Sequence, residues 1–196
     1  LTYETSNKQL NFLQTIYNSL KTTGHARAAV VVPDNVLFDS GIGESIRRDL
    51  MNKCSLHTIL RLPTGIFYAQ GVQTNVLFFE RGTTEKNNTK DVWIFDMRNN
   101  MRSFGKRNPL NKKDFEEFIE CYKRDDIANR QQTWSPENPN GRWRKYMFEQ
   151  IDNRDNASLD ISWLEAESSD PDYTISEMLE LMQEKSDNIA EAVARL

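Results

Sequence analysis

The residues with the most chemical promise share one loop. Leu62-Pro63-Thr64-Gly65-Ile66-Phe67-Tyr68-Ala69-Gln70-Gly71-Val72-Gln73-Thr74 sets two large aromatics, Phe67 and Tyr68, between two glycines. Rings carried on so free a backbone can stack a planar group such as a nucleobase. The same rings can instead fold back over an apolar sheet edge, as most loop aromatics do. Other reactive residue types thin out quickly. Cys54 and Cys121 lie 67 positions apart without a CxxC, and His57, three after Cys54, has no second ligand pair, so neither a disulfide framework nor a zinc site is expected. His25 and His57 are the sole histidines, each at the edge of an expected strand, where a neutral imidazole needs no catalytic reason. The sequence has no GxSxG, Walker loop, HExxH or GxGxxG, and no two carboxylates stand at a spacing that argues for acid/base work. No catalytic and no metal-binding residue is assigned.

Charge is distributed unevenly. The 196 residues carry a net charge of −4, yet residues 1–97 hold +1, residues 98–145 hold +5 and residues 146–196 hold −10. A basic middle can meet phosphate even where the whole chain is acidic. Lys106, Arg107, Lys112, Lys113, Arg142, Arg144 and Lys145 are the candidates, of which Arg142, Arg144 and Lys145 form the densest group. A solvated surface would use the same residues. The hydrophobic fraction of 38% suffices for one real core, and no apolar run approaches the roughly 18 residues of a membrane span. A reducing cytoplasm and no membrane contact are expected. The start Leu1-Thr2-Tyr3, without methionine or a signal sequence, reads as the downstream part of a longer chain.

The elements that must position the loop follow from periodicity. Ser6 with Gln9 reads as a capping box, and Leu10, Leu13, Tyr17 and Leu20 make a helix stripe. Ala28-Ala29-Val30-Val31-Val32-Pro33 reads as a strand covered on both faces. Ile46, Leu50 and Cys54 mark a second helix over residues 44–54. Strands are expected at residues 59–62, 75–79 and 92–95. Between the first two of these, the connection from Pro63 to Thr74 encloses only ten residues, Thr64 to Gln73, with no helical pattern, so the two strands should be antiparallel neighbours. Phe115, Phe118, Ile119 and Tyr122 stripe a further helix, and a polar stretch over residues 130–143 follows a boundary placed near residue 127. Thr174 and Glu177 open a terminal helix over about residues 175–196, roughly 33 Å long, with a one-sided apolar stripe. The fold class is α/β.

The strings Ala28-Ala29-Val30-Val31-Val32-Pro33-Asp34-Asn35-Val36-Leu37-Phe38, Ile46-Arg47-Arg48-Asp49-Leu50, Leu60-Arg61-Leu62-Pro63-Thr64-Gly65-Ile66-Phe67 and Thr74-Asn75-Val76-Leu77-Phe78-Phe79 closely resemble the modification (methyltransferase) subunit of type I restriction-modification systems. Leu159-Asp160-Ile161-Ser162-Trp163-Leu164 resembles that family's C-terminal region. The likeness spans nearly all of residues 6–123 and part of the tail.

It implies an adenine-N6 DNA methyltransferase that draws its methyl group from S-adenosylmethionine. The partners it implies are DNA, a specificity subunit, a restriction subunit and a second modification subunit. The implied fold is the downstream half of a Rossmann-like sheet with an antiparallel last strand over residues 1–127, then a mainly helical assembly region over residues 128–196. The family's Gly-rich cofactor loop and Asn-Pro-Pro-aromatic motif do not occur in this sequence. The resemblance therefore carries over no catalytic or cofactor-binding residue, and this chain alone should be inactive. It does place Phe67 and Tyr68 at the target-base cleft and, more weakly, Asp34 and Asn35 at its edge, although a turn after Pro33 explains the latter pair better. The rival reading is a non-catalytic assembly module that bridges DNA-binding subunits.

Overall fold

The computed structural model describes residues 1–23, 25–67 and 71–164. Tyr68 and the expected terminal helix over residues 175–196 lie outside the described residues.

Helix α1 spans Lys8–Ser19 and is capped by Asn7, whose side-chain oxygen accepts from the backbone N–H groups of Gln9 and Leu10. The cap thus sits one residue after the expected Ser6, because the Asn7 amide satisfies two orphan donors at once. Leu10, Leu13 and Tyr17 bury the expected stripe. Strand β1 (Arg27–Pro33) leads into the short helix α2 (Asn35–Phe38), and α3 (Ile42–Lys53) runs directly into β2 (Cys54–Leu62). Then come β3 (Thr74–Arg81), β4 (Asp91–Asp96), α4 (Glu116–Tyr122), β5 (Trp143–Met147) and α5 (Phe148–Asp152).

The five strands form one sheet in the order β1-β3-β2-β4-β5. β2 and β3 are antiparallel neighbours, as the short connection, eleven residues from 63 to 73, requires. β1 and β5 also pair antiparallel, with β3 and β4, and only β2/β4 is parallel. Within the described residues the sheet is therefore mixed and mostly antiparallel, not parallel with one reversed strand. β5 was not expected. It lies beyond the boundary placed near residue 127 and pairs Trp143 through Met147 with Phe95 through Asp91.

The sheet has two covered faces. On one, α1 and α3 pack Leu13, Tyr17, Ile46 and Leu50 against Leu56, Ile59, Leu77, Phe79 and Ile94. On the other, Phe118 of α4 seals Leu60, Phe95 and Trp143, with ring centroids 5.5 Å from Phe95 and 6.3 Å from Trp143. Each such side chain removed from water contributes about 1.5–3 kcal/mol.

β1 departs from its expected two-sided burial. Val32 is buried, whereas Val31 is 55% exposed, and among the described residues β1 pairs on one side only. An edge strand alternates between core and solvent even when every residue in it is apolar. Farther along, the buried Arg47 donates to the backbone oxygens of Val36, Asp39 and Asn156, tying the segment after α5 to α2. Among the described residues no helix is long and apolar enough to cross a membrane, and no cluster of side chains is suited to a metal ion.

Candidate functional site

Three backbone segments converge where β1 ends, β2 ends and β3 begins. Arg98, just after β4, fastens all three. Its guanidinium donates to both carboxylate oxygens of Asp34 at 2.8 and 2.5 Å, to the Leu62 oxygen at 3.2 Å, to the Thr74 oxygen at 3.0 Å and to the Asn75 side chain at 3.2 Å. Asn75 in turn donates to Asp34 at 2.7 Å, and the Asp34 N–H to the Gln73 oxygen at 3.2 Å. A bidentate guanidinium whose three nitrogens all donate is a rigid joint. The loop over residues 63–73 is thus held at both roots. Burial alone would push the Asp34 carboxyl up, but the hydrogen bond and charge of Arg98, with Asn75 adding a donor, leave it below the usual range.

A second cluster underlies the first. Arg61 of β2 donates to Asp160 and to the Ile161 oxygen, both at 2.7 Å, and lies 3.3 Å from the fully buried Asp96. Asp96 accepts from the Arg98 N–H at 2.7 Å. Sequence reasoning missed Arg61, Asp96 and Arg98. One signal was available: an arginine inside the apolar run Ile59-Leu60-Arg61-Leu62 must find a carboxylate or carbonyl partner if that strand is central.

From these roots the loop rises to the expected aromatics. Gly65 has φ +80°, and a Cβ there would lie 2.2 Å from the Phe104 carbonyl oxygen, so the two loops touch backbone to backbone. Ile66 turns down onto the Leu60 and Trp143 cluster. Phe67 does not; it is 42% exposed. Gly65, Ile66 and Phe67 face Gly105, Lys106, Pro109 and Leu110 across a cleft of about 670 Å³. The larger part of its exposed lining is apolar, as a site for a flat ligand requires.

The other expected residues lie elsewhere. Asn35 opens α2 and donates to Asp39 at 3.1 Å. Arg142 spends its guanidinium on the backbone oxygens of Asp96, Asn99 and Asn100. Arg144 lies 3.5 Å above the Trp134 ring and 5.3 Å from that of Tyr146. Lys145 pairs with Asp91 at 3.0 Å. Lys106, Arg107, Lys112 and Lys113, by contrast, are exposed, and among the described residues their charged ends have no partner. Burial pushes the thiols of Cys54 and Cys121 up to about 12 and about 11, so neither is a ready nucleophile. His57 is held down to about 4, by burial first and the Arg130 charge second, and stays neutral.

Comparisons with known proteins agree with the architecture. The family model described as N-6 DNA Methylase matches residues 1–162. The StySJI type I restriction enzyme methylase subunit of Salmonella typhimurium is 48% identical, over 92% of this chain and 40% of its own. The EcoKI methylase subunit of Escherichia coli K12 is also 48% identical, over 94% of this chain and 41% of its own. The crystal structure of the EcoKI M protein superposes with a TM-score of 0.73 at 47% identity, covering 93% of this chain and 43% of that one. A chain from a structure of type I R-M complex assembly and conformational transition gives a TM-score of 0.69 at 25% identity. The chain spans about two fifths of the length of these relatives. By family model, identity and fold, the chain belongs to the N-6 DNA methylases, alongside the methylase subunits of type I restriction enzymes.

Proposed function

We propose that these residues are the C-terminal portion of a type I modification subunit that methylates adenine N6 in DNA, and that they supply one wall of the target-base cleft. The observation that carries this reading is the exposed Phe67 at the rim of a cleft whose loop is fastened at both roots by Arg98. Extruding a base costs a few kcal/mol, and an aromatic face returns about 1–3 kcal/mol of it. A fixed loop makes that return larger, because little is lost in ordering the ring. Tyr68 would share the role. Asp34 and Asn35 act at one remove: Asp34 holds Arg98, and Asn35 begins α2.

S-adenosylmethionine supplies the methyl group in this reading, but the residues described here do not fit it. Of the carboxylates at the strand ends, Asp34 is consumed by Arg98, and Asp96 is fully buried beside Arg61, where a ribose hydroxyl does not reach it. No Gly-rich turn joins a strand to a helix here either. The donor would be held by polypeptide outside this chain, and no cofactor residue is assigned.

Contacts with a specificity subunit, a restriction subunit and a second modification subunit belong to the same proposal, with residues 174–196 as the expected assembly segment. Deleting them should weaken assembly; unchanged affinity would reject that part. The main test uses the full-length subunit assembled with its specificity subunit, on DNA carrying 2-aminopurine at the target adenine. Phe67→Ala should lower both the fluorescence rise on binding and kcat/KM at least about tenfold, without a change in melting temperature. Unaltered methylation would reject the base-wall role, and a full-length subunit that assembles but does not methylate at all would favour the assembly module instead.

A further inference from the structure

We propose that the turn over residues 103–110 is the phosphate-holding wall of the same cleft, with Lys106 and Arg107 gripping the DNA backbone beside the extruded base. The inference rests on the base-cleft reading above and adds a ligand group and residues to it. Three observations carry it.

The turn is built before anything binds. Arg102 donates to the Pro109 oxygen at 2.9 Å and the Asn108 oxygen at 3.4 Å, is anchored by Asp114 at 2.8 and 3.0 Å, and lies 4.3 Å from the Phe104 ring centroid. Gly105 and Asn108 exchange backbone hydrogen bonds at 3.1 Å, and the Asn108 amide donates to the Ser103 oxygen at 2.7 Å. A turn with its polar groups so occupied loses little entropy on receiving a ligand.

The turn also meets the loop that carries Phe67. The Gly65 backbone rests on the Phe104 carbonyl with no room for a Cβ, so the segment that leads into Phe67 and the turn that carries the cations are in backbone contact. Lys106 and Phe67 both line the cleft.

Finally, the cations divide by position. Arg102 is spent within the turn, and Arg98 and Arg142 are spent beneath it. Lys106 and Arg107 at the tip are exposed, and among the described residues nothing pairs with them. A strand with a base in the cleft would lay its sugar across Ile66, Pro109 and Leu110 and its charge beside the tip. Phosphate is the anion that fits, since a row of such charges accompanies any base.

The experiment measures DNA affinity of the full-length subunit, assembled with its specificity subunit, across about 50 to 200 mM salt. Lys106→Ala with Arg107→Ala should weaken binding about tenfold and reduce the slope of log K against log salt by about 1 to 2, equally for cognate and unrelated DNA. Lys106→Arg with Arg107→Lys should restore the slope. An unchanged slope overturns the proposal, as does an equal fall with Lys112→Ala and Lys113→Ala, which lie outside the 103–110 turn. Phe67→Ala separates the two readings. A reduced slope in the double variant, with full methylation by Phe67→Ala, would uphold the phosphate contact and sink the base wall. An unchanged slope, with methylation lost in Phe67→Ala, would do the reverse.

Discussion

Two sets of cations flank the same loop and behave in opposite ways. Arg61 and Arg98 lie beneath it with side chains 7% and 8% exposed, each held by carboxylates and carbonyl oxygens. Lys106 and Arg107 lie on the 103–110 turn that touches it at Gly65, open to solvent. The first set is charge used as structure: removing a buried partner strands the other ion and costs far more than the pair itself contributes. The second set is charge held in reserve, nearly neutral for stability and available to a ligand. Net charge sees no difference between them, but burial and partners do.

The sharpest way to break the contrast is Arg98→Ala. It strips Asp34 of its counter-ion and frees both loop roots, and should destabilise the fold by about 3–5 kcal/mol in urea denaturation. A loss below about 1 kcal/mol would mean that the buried set is not structural after all. Gly65→Ala comes next. The forced αL conformation and the contact with the Phe104 carbonyl together should cost about 3 kcal/mol, read from the same denaturation midpoint, and should disturb the 103–110 turn as well.

A pH titration gives a smaller effect of the same kind. Arg130 donates to Thr58 Oγ1 at 3.0 Å, within reach of His57, and the neighbouring cation helps keep that imidazole neutral. With the folded pKa near 4 against the ordinary 6.5, the unfolded chain takes up the proton first. Stability should therefore be constant above about pH 7 and fall by about 3 kcal/mol as the pH drops to 4. His57→Gln should remove that slope; if it persists, another group is responsible. Asp34 acts lower still, its contribution being lost only as the pH falls below the usual carboxylate range. The smallest expected effect is the most telling one. Lys106→Ala and Arg107→Ala should each shift stability by less than about 0.5 kcal/mol, and a larger loss would place them in the structural set.

The sequence made the local elements legible and left the joints hidden. Helix stripes placed α1 and α3, apolar runs placed β1 to β4, and a single length argument established that β2 and β3 are antiparallel. β5 escaped because Arg144 and Lys145 interrupt its apolar residues Trp143, Tyr146 and Met147, so the segment reads as polar. Val31 misled in the other direction, since an apolar run does not reveal whether a second sheet face is covered. The expected phosphate residues Arg142, Arg144 and Lys145 proved to be occupied by carbonyls, rings and a carboxylate, whereas Lys106 and Arg107 were in the same group of candidates and stand open. The Asp34–Arg98 joint spans 64 positions of chain, and no spacing rule reaches that far. Phe67 could be nominated from sequence; what holds its loop could not.

The backbone contact at Gly65 also bears on engineering. A graft that replaced the 63–73 loop would bring a new backbone against the Phe104 carbonyl, where a Cβ at position 65 has no room. The practical unit of exchange is the pair of loops, cut outside Leu62 and Thr74 on one side and outside Arg102 and Asp114 on the other. Libraries that vary one partner alone would have to keep glycine at position 65.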